Sequence, residues 1–202
     1  MRFDLLVFDL DGTLVDSAPD IVASLQRVLG RMGRPVLPPD EIRAAIGSGV
    51  RKLIERTAAP PHEPLVDAFM EEYGGHLLDR TRCFPGVAET LGALSCRKLV
   101  LSNKPEGLSR RIVEGLGLAP HFEAVYGGDS FATRKPDPEG LRRAADGAAR
   151  ILVVGDSGID VQTARNAGVP VCAVSYGYSK PGELEGVDFR IDRFDQLLGV
   201  VR

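Results

Sequence analysis

Two carboxylates, Asp9 and Asp11, stand one residue apart where the apolar run of "LLVFDLDGT" (5–13) ends. An extended chain would put residues i and i+2 on one side. Two acids held together repel, so the pair needs a shared proton or a cation. A second β-type run also ends in an acid: in "VVGDSGIDVQTA" (153–164) Asp156 is followed one helical turn later by Asp160. A third, "LVLSNKP" (99–105), ends in a hydroxyl and an amide, Ser102 and Asn103. Lys135 sits before a proline in "TRKPDP" (133–138). The acids suit a hard divalent cation such as Mg²⁺, which takes oxygen ligands. The hydroxyl, amide and lysine suit phosphoryl oxygens. Together they read as phosphoryl transfer with a metal. "DLDGT" is not an EF-hand loop, because the sixth position is Leu14 where that loop needs glycine, and a strand precedes it.

Such residues act together only if the fold gathers them. The β-type runs "FDLLVF" (3–8), "KLVLS" (98–102), "EAVYG" (123–127), "RILVVG" (150–155) and "VPVCAVS" (169–175) are continuous rather than alternating. Strands buried on both faces look like this. Helical patterns at 105–116, 137–149 and 158–167 separate them. Alternating β and α implies a doubly wound α/β fold with a parallel sheet, whose ligands bind outside the carboxyl ends of the strands. Between Asp16 and Arg82 no strand is evident, and helical periods fall at 18–32, 39–46, 49–58 and 63–79. This stretch reads as a small helical domain, 16–83, inserted after the first strand of a core made of 1–15 and 84–202.

Composition narrows the classes. With 202 residues, 44% hydrophobic, 26% charged and a net charge of -3, the chain reads as an ordinary globular protein rather than a nucleic-acid binder with a basic face. Its three cysteines are widely spaced, which disfavours a disulfide framework or a structural zinc site and fits a cytoplasmic location. No apolar stretch is long enough to span a membrane.

In order, "DLDGT", "LSNKP", "RKPDP" and "GDSGID" resemble the four motifs of the haloacid dehalogenase-like superfamily. The match spans nearly the whole chain, and the helical insert resembles that superfamily's cap. Within it, "VYGGDSFATRKPDP", "IGSGVRKLI" and the segment 174–197 are similar to bacterial phosphoglycolate phosphatases. The helix between "KPDP" and "GDS" is shorter than the family pattern. The resemblance implies a phosphoric monoester hydrolase acting on a small phosphate ester, 2-phosphoglycolate first. Asp9 would be the nucleophile and form an aspartyl-phosphate. Asp11 would carry the proton to and from the leaving and attacking oxygens. Mg²⁺ would be held by Asp9, the Asp11 carbonyl and Asp156, with Asp160 as ligand or support. Gly12, Ser102, Asn103 and Lys135 would bind phosphate, and Ser102 and Lys135 would share in catalysis. Other readings stay open: a sugar-phosphate phosphatase, a phosphoglucomutase or a pyrophosphatase of the same fold, and more distantly a phosphorylatable, non-catalytic receiver-like domain.

The cap would choose the substrate. In "IGSGVR" (46–51), Gly47, Ser48 and Gly49 can bring backbone N–H groups to an anion, and Arg51 can meet a substrate carboxylate. The same stretch reads equally well as an ordinary interhelical turn. It is not a dinucleotide fingerprint, since it lacks the third glycine and follows a helix.

Overall fold

The computed structural model describes residues 2–202. Six parallel strands make the central sheet: β1 (Leu5–Phe8), β4 (Arg97–Leu101), β5 (Ala124–Tyr126), β6 (Ile151–Gly155), β7 (Val171–Val174) and β8 (Phe189–Ile191), in the order β5-β4-β1-β6-β7-β8. β1 is central, and Phe8 registers with Val100 on β4 and Val154 on β6. The order reverses on either side of β1, so the crevice for a ligand lies above its carboxyl end.

Continuous apolar strands are buried twice. Leu5 and Val7 pack with Leu141 and Ala144 of α7 (Glu139–Ala145) and Val161 and Ala164 of α8 (Gly158–Ala167). Leu6 and Phe8 face the other way. They join Leu91 of α5 (Val87–Ala93), Ile112 of α6 (Glu106–Gly115) and Leu197 of α9 (Leu197–Val201). α7 stops at Asp146, whose φ of 42° ends the helix well short of the expected 149.

Four helices follow β1: α1 (Ala18–Arg31), α2 (Pro39–Arg43), α3 (Val50–Thr57) and α4 (Glu63–Gly75). The chain enters and leaves this insert through a short antiparallel ribbon. In it β2 (Val15–Asp16) pairs with β3 (Arg82–Cys83). Two-residue strands carry no period, which is why the sequence did not announce them.

Asp20, only 2% exposed, ties the start of the insert to its end. Its carboxylate accepts hydrogen bonds from the backbone N–H groups of Arg80 (2.9 Å) and Thr81 (2.7 Å) and from the Thr81 hydroxyl (2.8 Å). Replacing it with alanine strands buried donors, at about 1–3 kcal/mol each. Asp20→Ala is expected to lose about 3 kcal/mol or more of stability in urea unfolding, whereas an exposed control such as Asp40→Ala should lose little.

Candidate active site

Three strands end at one edge, and the residue just past each is polar: Asp9 after β1, Ser102 after β4 and Asp156 after β6. Lys135 arrives from the loop after β5. All four are buried, with Asp11, Asn103 and Asp160.

The Lys135 ammonium lies 2.7 Å from Asp9 Oδ1 and 2.7 Å from Asp160 Oδ1. Asp160 is held locally as well: its other oxygen, Oδ2, accepts hydrogen bonds from the backbone N–H and hydroxyl of Ser157 at the start of α8. One carboxylate thus caps a helix and faces the site. Asp156 accepts hydrogen bonds from the Thr13 hydroxyl (3.0 Å) and the Tyr178 backbone N–H (2.7 Å). Gly12 is pressed against Asp156: a Cβ there would come within 2.3 Å of Asp156 Oδ2, and its φ of +92° suits glycine.

Carboxylate oxygens of Asp9, Asp156 and Asp160 lie within 4.8 Å of one another. Burial drives the Asp9 carboxyl up to about 7 despite Lys135, and Asp160 and Asp11 push the same way. Asp156 is raised by burial and then by Asp9 and Asp160. Burial works to lower Lys135, but Asp160 and Asp9 override it and raise its pKa. The cluster therefore resists carrying its full negative charge. An oxygen-rich, under-neutralised site of this kind fits a hard divalent cation, which would favour the ionised acids.

Lys104 is the residue that sequence reasoning passed over. Its ammonium lies 2.9 and 2.7 Å from the two Asp11 oxygens and 2.9 Å from the Tyr73 hydroxyl of α4. The Ser17 hydroxyl also donates to Asp11 Oδ1. The signal was available: Lys104 stands two residues past Ser102, as Asp11 stands two past Asp9.

Two of the expected site residues have their side chains engaged elsewhere. Asn103 was expected to bind phosphate, but its amide NH₂ is turned to the backbone carbonyls of Lys135 (3.0 Å) and Gly47 (3.3 Å). It fastens the Lys135 loop and the 46–49 turn instead. Arg51 was expected to reach a substrate. It lies on the outer face of α3, half exposed, and pairs with Glu63 at 2.8 Å. The inward positions of that helix are Leu53, Ile54 and Thr57.

Gly47 and Gly49 do line a cavity of about 40 Å³, which runs from Asp9, Asp11 and Ser102 to Leu53, Phe69 and Tyr73. A more polar space of about 130 Å³ shares Asp9, Asp11 and Gly47 and extends to Ser48, Arg56 and Asp156. At Gly49, φ is +86° and a Cβ would meet the Asn103 carbonyl oxygen at 2.9 Å. Backbone strain of this sort costs about 1–3 kcal/mol. Gly49→Ala is expected to lift the turn off the core, to lower kcat/KM by roughly 5- to 150-fold and to lower the melting temperature by several degrees.

Residues 6–174 match the family profile described as haloacid dehalogenase-like hydrolase. The chain belongs to that family. Among its relatives, a phosphoglycolate phosphatase of Mesorhizobium japonicum is 39% identical, with 89% of this chain and 86% of the relative aligned. Another, from Cupriavidus necator, is 39% identical over 95% of this chain and 90% of its own. A crystal structure of a predicted phosphoglycolate phosphatase from Haemophilus somnus superposes with a TM-score of 0.90 at 29% identity, covering 100% of this chain and 99% of that one. In this haloacid dehalogenase-like hydrolase, no helix among the described residues is long and apolar enough to cross a membrane.

Proposed function

We propose that the protein is a Mg²⁺-dependent phosphatase that hydrolyses a small organic phosphate monoester, 2-phosphoglycolate by preference, through phosphorylation of Asp9. The observation that carries this is the setting of the Asp9 carboxylate: buried at a strand end, 2.7 Å from the Lys135 ammonium, with Asp156 and Asp160 alongside. The curated relatives named above and the small cavity support the choice of substrate.

In this reading Asp9 attacks phosphorus and the bond to the leaving oxygen breaks; Asp11, a carboxylate beside Lys104 in the resting site, takes a proton from solvent as it turns toward the substrate and passes it to the leaving oxygen. Asp11, now a carboxylate, takes a proton from the water that attacks the acyl phosphate, releasing inorganic phosphate and freeing Asp9. The Ser102 hydroxyl and the Lys135 ammonium steady the phosphoryl oxygens, and Lys135 also screens Asp9 from the incoming dianion. Gly12 keeps the backbone close to Asp156. Asp9, Asp156 and the Asp11 carbonyl would hold the ion, with Asp160 as ligand or support; when bound, it would neutralise phosphoryl charge. Residues 16–83 act as a cap, with the β2–β3 ribbon as its stem and the 46–49 turn as its seal on the core.

Phosphate release from a panel of esters with Mg²⁺ tests the proposal. The highest kcat/KM is expected for 2-phosphoglycolate. Absence of phosphate release, or turnover only with a bisphosphate activator, would overturn it.

A further inference from the structure

We propose that Lys104 is the residue that selects a substrate with a carboxylate next to the ester oxygen. The inference rests on the phosphatase reading above and names the chemical class that the site prefers.

The two buried lysines divide the work. Lys135 pairs with Asp9, the group that attacks phosphorus, and Lys104 pairs with Asp11, the group that meets the leaving oxygen. Lys104 is 6% exposed and lines the narrow cavity, whose other walls include Ile21, Val50, Leu53 and Phe69. It is the cation of that cavity: Arg56 lines the neighbouring polar space and donates to the Ala45 carbonyl. Asp11 and Tyr73 take up the ammonium as the structure stands.

That arrangement changes when a substrate enters. To reach the leaving oxygen, Asp11 must turn from Lys104, and the ammonium then keeps the Tyr73 hydroxyl but loses its counter-charge in a largely apolar cavity. An unpaired buried charge is costly. A carboxylate one carbon from the leaving oxygen arrives where Asp11 has just left and restores the pair. A neutral leaving group of the same size does not. Selectivity thus has an attractive part and a penalty against the wrong substrate. The cavity is small, about 40 Å³, which disfavours a bulky leaving group.

The alternative is that Lys104 acts only on Asp11, as a structural ion pair. Binding measured without turnover separates the two. In an Asp9→Asn background with Mg²⁺, calorimetry would compare 2-phosphoglycolate with 2-hydroxyethyl phosphate, in which a CH₂OH group replaces the carboxylate. Adding Lys104→Met is expected to weaken phosphoglycolate by about 10- to 100-fold and to change 2-hydroxyethyl phosphate by less than about threefold. Lys104→Gln, which loses the charge but can still hydrogen-bond Asp11, should do the same and serves if the Met variant does not fold. Lys104→Arg should keep most of the preference. Equal weakening of both esters, or of neither, would overturn the role of Lys104 and leave the phosphatase reading standing. Binding of neither ester by Asp9→Asn, together with no phosphate release from either ester by the unmodified protein, would overturn that reading and this one with it.

Discussion

Asp9→Asn is expected to reduce phosphate release by more than about 10⁴-fold while the protein stays folded. Asparagine keeps the shape of the side chain but removes the attacking anion and one carboxylate from the Asp9, Asp156 and Asp160 cluster. Phosphate monoesters hydrolyse so slowly in water that roughly 20 kcal/mol of barrier lowering is at stake, and loss of the covalent route forfeits much of it. Stability should not follow activity. Burial already pushes the Asp9 carboxyl up to about 7, so the neutral amide is spared that desolvation, and Lys135 keeps Asp160 as a partner. Melting curves within a few degrees of each other, beside a collapse in turnover, are the expected pair of results. Substantial turnover by the pure variant would sink the covalent mechanism.

Chelation should be nearly as severe. EDTA is expected to abolish activity, and added Mg²⁺ to restore it. Four carboxylates, Asp9, Asp11, Asp156 and Asp160, face two ammonium groups, Lys104 and Lys135, a formal excess of two negative charges. Without a divalent ion that excess repels a phosphate dianion. Ca²⁺ should fail to substitute, because its looser and higher coordination would misplace the nucleophile. A second readout does not depend on turnover. Mg²⁺ at about 100 times its dissociation constant should stabilise the fold by about 2.7 kcal/mol, and Asp156→Asn should remove most of that gain. Full activity in chelator, or equal thermal shifts in wild type and Asp156→Asn, would remove the metal from the proposal.

The positions of Asp9, Ser102 and Asp156 were legible because each ends an apolar run. A parallel sheet collects the carboxyl ends of its strands at one edge, so short local patterns implied a shared site. Lys135 was legible only together with the other motifs. The core followed from the same runs, since Leu5 and Val7 face one helical layer and Leu6 and Phe8 the other. The short elements were not legible. The β2–β3 ribbon, β8 and α9 are two to five residues long, too short to show a period.

What tertiary structure decided is which way the side chains turn near the site. "LSNKP" does not say that Asn103 spends its NH₂ on the Lys135 and Gly47 carbonyls while Lys104 turns to Asp11. Those choices depend on a loop 32 residues further along and a turn 56 residues earlier. Arg51 and Leu53 are two residues apart on α3, yet one pairs with Glu63 on the surface and the other walls the cavity. Composition placed a cation near the substrate. Only the rotation of α3 against α4 decided that the cation in the cavity is Lys104 from the core rather than Arg51 from the insert, because a helix buries its apolar stripe and leaves the charges beside it to water.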